Sequence, residues 1–296
     1  MPSRRGFLGC CAVGLAPPAE RLGIVCQFVP EEGAARKVLA AARQAGFHRV
    51  QVQFPWNRAD EAFLRALPGW LAAEGLRADV LGAYVNCAVP ENVLMDARAS
   101  DLDRAIGYAP SLGATRLVAW TGGYGKDLMK PDPRNFRPEA ADAILRFLGP
   151  RLGRLEANRL TVALETYITL VAPDAPSLRR LLDRLPPCIT AVLDPPNLTP
   201  IQRYRERDEV LREMVRLLEG RIGVVHLKDF RLAADGRSYE LPGPLGGEMN
   251  YPLFAGLVER QPPETPLIAE HLSPAGFAAA RRKLLPLFGV GPTVVL

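Results

Sequence analysis

The sequence predicts an α/β fold, a single (β/α)8 barrel, and three observations carry that prediction. Short apolar runs alternate with amphipathic segments of helical period along nearly the whole chain. Eight such pairs can be counted, the number that closes a TIM barrel. Length and composition agree: 296 residues with 48% apolar side chains suffice for one large domain and its core.

The first strand is LGIVCQF (22–28), followed by the helical EEGAARKVLAAARQAG. HRVQVQFP (48–55) precedes DEAFLRALPGWLAAEG, and ADVLGAYVN (78–86) leads to a helix around 99–112. RLVAWTG (116–122) is followed, after a proline-containing loop, by a long helix at 138–157. LTVALET (160–166) precedes APSLRRLLDRL, and ITAVLDP (189–195) precedes RDEVLREMVRLLEG. After IGVVHLKD (222–229) comes the longest loop, 231–250, rich in Gly and Pro, then a helix near 251–261. PLIAEHL (266–272) and AGFAAARRKLLPLFG complete the series. The rival is a doubly wound open sheet, which binds a nucleotide at a Gly-rich first turn. FVPEEG is no such turn, and TGGYG after the fourth strand lacks the phosphate-loop spacing and its lysine.

The first nineteen residues read differently. SRRGFLGCCAVGLAPPA carries a twin arginine, Arg4 and Arg5, then the apolar Phe7 to Ala16, with Gly14-Leu15-Ala16 as a small-x-small cleavage site. This is either a twin-arginine export signal, placing the protein in the periplasm, or an extension retained on a cytoplasmic protein. The fold is therefore assigned to residues 20–296. No stretch of about 18 apolar residues is present, so no membrane span is expected. The net charge of +5 is scattered, and in the arginine-rich run 202–212 it is interleaved with Glu206, Asp208 and Glu209; this excludes a nucleic-acid surface. Cys10 and Cys11 fall in the leader, and Cys26, Cys87 and Cys188 have no CxxC spacing, so they read as buried free thiols.

Alternation of side chains along a strand locates the chemistry. In LTVALET, Val162 and Leu164 point outward to the helices, whereas Thr161, Ala163 and Glu165 point into the barrel. Glu165 thus faces inward at the carboxyl end of its strand, where barrel active sites are built. The position recurs on the next three strands as Asp194, His226 and Glu270, with Val192, Val224 and Ile268 two residues before them to fill the interior. Three carboxylates at one rim repel one another unless a cation neutralises them. Three oxygens and one imidazole suit a divalent ion such as manganese, magnesium, cobalt or zinc.

VALETY, AVLDPPN, VVHLKDF and LIAEHL resemble the four metal-ligand strands of the xylose isomerase-like TIM-barrel superfamily, the sugar phosphate isomerase/epimerase group. The resemblance runs from about Leu22 to the C-terminus, and LGAYVN and WTGGYG resemble its third and fourth strand ends. It implies that Glu165, Asp194, His226 and Glu270 bind one divalent metal, commonly manganese, with Glu165 and Glu270 also acting as the catalytic proton-transfer pair. Polarising a carbonyl and its neighbouring hydroxyl acidifies the α-carbon proton and stabilises an enediolate. One carboxylate then removes the proton and the other returns it. A small carbohydrate substrate and a homodimer are the expected partners.

The chain departs from the ketose 3-epimerases. Val171 and Asn197 stand where those enzymes carry a substrate-contacting Glu and a His, and only Arg231 lies near the position of their downstream Arg. Asn86, Trp120, Asn197 and Lys228 are the expected substrate-binding residues, with Gln53, Tyr84 and Tyr124 near the same rim. Lys228 could equally pair with a neighbouring carboxylate. His271 is expected to point away from the metal, and His48 lies at the wrong end of the barrel. An inosose-type dehydratase or lyase on the same site, and a non-catalytic sugar-binding barrel, remain open alternatives. A DNA-repair endonuclease is disfavoured because its three-metal cluster needs several His ligands, and this chain has three His in total.

Overall fold

The computed structural model describes residues 21–94, 96–128 and 130–288; the expected leader lies outside the described residues. Eight parallel strands close into a barrel: β1 (Leu22–Gln27), β2 (Arg49–Gln53), β3 (Arg77–Asn86), β4 (Arg116–Trp120), β5 (Thr161–Glu165), β6 (Ile189–Leu193), β7 (Ile222–Leu227) and, after a small hairpin, β10 (Leu267–Ala269). Closure is by β1, which pairs with β2 on one side and β10 on the other. The single (β/α)8 TIM barrel expected from the sequence is therefore the fold.

The helices surround the strands: α1 (Glu32–Gln44), α2 (Glu61–Ala73), α3 (Ala99–Leu112), α4 (Pro138–Leu148), α5 (Leu152–Ala157), α6 (Ala175–Asp183), the single turn α7 (Pro195–Leu198), α8 (Arg207–Leu217), α9 (Tyr251–Val258) and α10 (Phe277–Phe288). Each buries one stripe. In α1 the buried residues are Ala35, Leu39 and Ala42, at helical spacing. In α6 the Asp174 side chain accepts the Ser177 N–H at 2.9 Å, fixing the start, while Leu178, Leu181 and Leu182 turn inward.

Two expected boundaries shift. The long helix at 138–157 is broken into α4 and α5 by a 3-10 turn at Gly149–Arg151. Pro150 has no N–H to donate and a ring that clashes with the preceding turn. The last barrel strand is three residues, not seven, because the chain leaves the ladder at Glu270 and His271 adopts a left-handed φ of 57°.

The core has two layers. Val162 and Leu164 join the larger one, between strands and helices. Ala163 lies inside the barrel with Val80, Val118, Val192, Val224 and Ile268, as alternation requires. At the amino-terminal end of the strands, buried Arg49 pairs with Asp79 at 3.2 Å. The 231–250 segment is more ordered than a plain loop. It holds a two-residue hairpin, β8 (Arg231–Leu232) and β9 (Tyr239–Glu240), paired Arg231↔Glu240 and Leu232↔Tyr239. The Asp229 carboxylate ties its base, accepting the N–H groups of Phe230, Gly247 and Met249 at 2.7, 2.9 and 2.9 Å.

Candidate active site

The ends of β5, β6, β7 and β10 bring Glu165, Asp194, His226 and Glu270 together, all buried. One ligand atom from each lies within 4.8 Å of every other. His226 Nδ1 is 3.5 Å from Glu165 Oε2, 3.4 Å from Asp194 Oδ2 and 3.4 Å from Glu270 Oε1. Lys228, two residues on from His226 and on the same face, brings Nζ to 2.6 Å from Asp194 Oδ2 and 2.7 Å from Glu270 Oε1. These are close ion contacts without hydrogen-bond alignment. Asp194 Oδ2, Glu270 Oε1 and His226 Nδ1 are all buried, and the two oxygens are met by the Lys228 ammonium. Carboxylate oxygens and one imidazole nitrogen converging in this way are a donor set that could hold a cation. With His226 neutral, three carboxylates and one ammonium leave a charge of about −2, which a divalent ion would cancel.

The environment makes the two glutamates unequal. Burial pushes Glu165 up to about 7, against the pull of His226 and Lys228. Burial acts on Glu270 in the same direction, but there His226 and Lys228 prevail and hold it well below the carboxylate range. His226 is opposed by burial, yet the Glu270 and Glu165 charges lift its imidazolium up to about 10. Lys228 is likewise raised, its burial outweighed by Asp194, Glu270 and Glu165.

Hydrogen bonds hold the ligands in place. Asn197 Nδ2 donates to Glu165 Oε1 at 2.8 Å, and the Asn197 N–H donates to Asp194 Oδ1 at 3.2 Å. On the other side, Tyr84 donates to Glu165 Oε2 at 3.2 Å, and Gln51 links Tyr84 (2.9 Å) to His226 Nε2 (3.1 Å). Sequence reading missed Gln51 altogether and gave Tyr84 only a place on the rim. The one signal for Gln51 was an amide inside the otherwise apolar VQV of β2.

Above the carboxylates opens a cavity of about 520 Å³. Glu165, Asn197, Lys228 and Glu270 reach it from the floor, and Tyr84, Trp120 and Tyr167 form an aromatic wall. Trp120 packs on Tyr84 with ring centroids 5.3 Å apart, and its Nε1–H is buried without a partner among the described residues. Gln53 also lines the cavity, as do Leu128, Leu241 and Phe277, which carry no sequence signal.

Several expected residues stand elsewhere. Asn86 does not line the cavity. Its Nδ2 donates to the Asn92 and Gly123 carbonyls, and its Oδ1 accepts the Val89 and Gly123 N–H groups. Gly122 makes room for it: a Cβ there would lie 1.9 Å from Asn86 Oδ1, at a φ of 84°. Tyr124 sits beneath the Arg134 guanidinium at 4.8 Å, and Arg231 pairs with Glu240 at 2.6 Å. His48, at the opposite end, is 3.0 Å from Arg43. His271 is not part of the quartet; it has a left-handed backbone and lines the edge of the cavity. Cys26 and Cys87 are free and buried, and Cys188 is free and half-buried.

This fold and this quartet define a class. The model of the xylose isomerase-like TIM barrel family matches residues 39–286, and the chain belongs to that family. Solved structures share the fold. L-ribulose 3-epimerase superposes with a TM-score of 0.67 at 16% identity, over 90% of this chain and 93% of that one. A xylose isomerase-like TIM barrel protein from Mycobacterium smegmatis in complex with magnesium gives 0.65 at 17%, over 87% and 89%. The probable 3-DHS dehydratase AsbF from Bacillus anthracis gives 0.61 at 13%, over 89% and 99%. No curated protein matches the sequence. Among the described residues no helix is long and apolar enough to cross a membrane.

Proposed function

We propose that the chain is a divalent-metal-dependent isomerase or epimerase acting on a sugar or sugar derivative. The observation that carries this reading is the convergence of Glu165, Asp194, His226 and Glu270, one ligand atom each within 4.8 Å, with Glu165 and Glu270 reaching the cavity. These four would hold the ion. Manganese is assigned by the family resemblance; magnesium, named with the Mycobacterium smegmatis structure, suits the same oxygen-rich set, as do cobalt and zinc. The bound ion would supply Lewis-acid polarisation of a substrate carbonyl.

The chain's own residues supply the rest. Glu165 and Glu270 are the proton-transfer pair: one takes the proton next to the carbonyl and the other returns it. Asn197 orients Glu165 for that task. Lys228 offers a buried positive charge to a substrate oxygen, and Trp120 offers its ring to the cavity wall.

A dehydratase or lyase on the same site is the second reading, supported by the likeness to the probable 3-DHS dehydratase AsbF. Removal of the proton next to the carbonyl by one carboxylate would be followed by loss of a neighbouring hydroxyl as water, protonated by the carboxylic acid so formed. Metal analysis of the purified chain beside His226→Ala tests the site: about one divalent ion per chain, lost in the variant, is expected. Incubating keto sugars and inososes with the enzyme in deuterium oxide then separates the reactions. Deuterium in a stereoisomer or positional isomer marks the first reading, and loss of water marks the second. Absence of metal after incubation with manganese would overturn both.

A further inference from the structure

We propose that Gln51 and Tyr84 are positioning residues that join two of the ligands, His226 and Glu165, into one directional hydrogen-bonded unit. The proposal rests on the metal-site reading above. Gln51 is fully buried in the barrel interior, where an amide is costly unless every polar atom finds a partner. Both ends do. Nε2 donates to Tyr84 Oη at 2.9 Å, which leaves Oε1 as the acceptor 3.1 Å from His226 Nε2. An acceptor facing Nε2 keeps the proton there. Nδ1, the atom turned to the three carboxylates, is then free to act as ligand. Because Tyr84 Oη accepts from Gln51, its own proton is directed to Glu165 Oε2 at 3.2 Å.

Three oddities of the sequence serve this one chain of bonds. The first is the glutamine itself. The second is the backbone of Tyr84, held at a φ of 48° within a register shift of β3 between Gly82 and Asn86. A left-handed tyrosine is strained and persists only where its surroundings enforce it. The third is Gly82: a Cβ there would lie 2.7 Å from the Tyr84 ring, so only glycine lets the ring fold back over the strand. Glu270 has no comparable donor and meets Lys228 instead, which leaves Glu165 as the anchored carboxylate of the pair.

The test uses the full chain with Tyr84→Phe, Gln51→Leu and the double variant. Manganese affinity is measured by calorimetric titration. The His226 ring is read by long-range proton–nitrogen NMR on metal-free and magnesium-loaded protein. We expect a slowly exchanging proton on Nε2 in the native chain, and its exchange accelerated in Gln51→Leu. Each single variant should bind manganese about 10- to 100-fold more weakly. The double variant should be no weaker than the worse single, because a chain broken at either link is already broken. Affinities within twofold of native, losses that multiply, or a proton on Nδ1 with Nε2 bound to the ion would overturn the proposal. Tyr84→Phe keeps the ring against Trp120, so it decides the matter if Gln51→Leu does not fold. A native chain that binds no manganese would defeat the functional reading instead, and exchange of the Nε2 proton in metal-free Gln51→Leu, faster than in the native chain or unchanged, would still decide for or against the bridge.

Discussion

Lys228 Nζ stands 2.6 Å from Asp194 Oδ2, and both side chains are almost wholly buried. The contact makes the lysine an internal counter-ion for the carboxylate cluster, competing with any divalent ion for the same oxygens. Lys228→Met removes the ammonium and keeps much of the side-chain length. The metal-free variant is expected to lose about 3–5 kcal/mol of stability, the usual cost of stranding a buried charge. It should gain more from manganese than the native chain does. Thermal unfolding with and without manganese measures both, and an unchanged manganese-induced rise in Tm would refute the competition.

The pH dependence follows from His226. Its imidazolium is held up to about 10, above the unfolded value near 6.5. Between these values this imidazole binds more protons in the folded chain than in the unfolded one, so its contribution to stability is full below pH 6.5 and is lost as pH rises towards 10. The Tm of the metal-free protein should fall across this window, and His226→Asn should flatten that slope. Metal affinity should rise over the same range, because the ligand must shed its proton to bind.

Asn86 supplies a contrasting case. Its amide makes four hydrogen bonds to loop backbone around Gly123 and none to the cavity. Asn86→Ala is therefore expected to cost about 2–3 kcal/mol of stability, from buried backbone groups left unpaired. Manganese affinity should stay within about twofold of native. A chemical denaturation curve and a metal titration on the same preparation check the pair of outcomes.

Asp229 gathers three N–H groups at the base of the β8–β9 hairpin. Asp229→Ala releases that clamp, and trypsin should cut faster after exposed Arg237 at the hairpin tip while the barrel itself resists. Mass analysis of the first fragments identifies the cut; equal cleavage rates in the native chain and the variant would show that the clamp does not control the hairpin.

The barrel and the convergence of the quartet were legible because both depend on local pattern. Alternation alone carries Glu165, Asp194, His226 and Glu270 inward, each two residues beyond a small or branched apolar interior residue. The same rule carries no further than the strand, and the left-handed turn that brings His271 to the cavity edge lies beyond it. Asn86 looked like a sugar-binding residue because its partner Gly123 lies 37 positions away and nothing local announces it. Gln51 and His226 are 175 positions apart, so their contact exists only once the barrel is closed. Pro150 did announce the break between α4 and α5, but the apolar periodicity on either side concealed it.

The packed layer beneath the quartet, from Val80 to Ile268, with the Arg49–Asp79 pair behind it, closes the barrel along its axis. The cavity is consequently a cul-de-sac, and the proposed activity inherits that shape. Reactant and product must pass through one doorway, on the side of the βα loops, and each bars the other while it occupies the chamber. Product should then inhibit by direct competition, and a polymeric chain could offer only its end, never its middle, to the carboxylates.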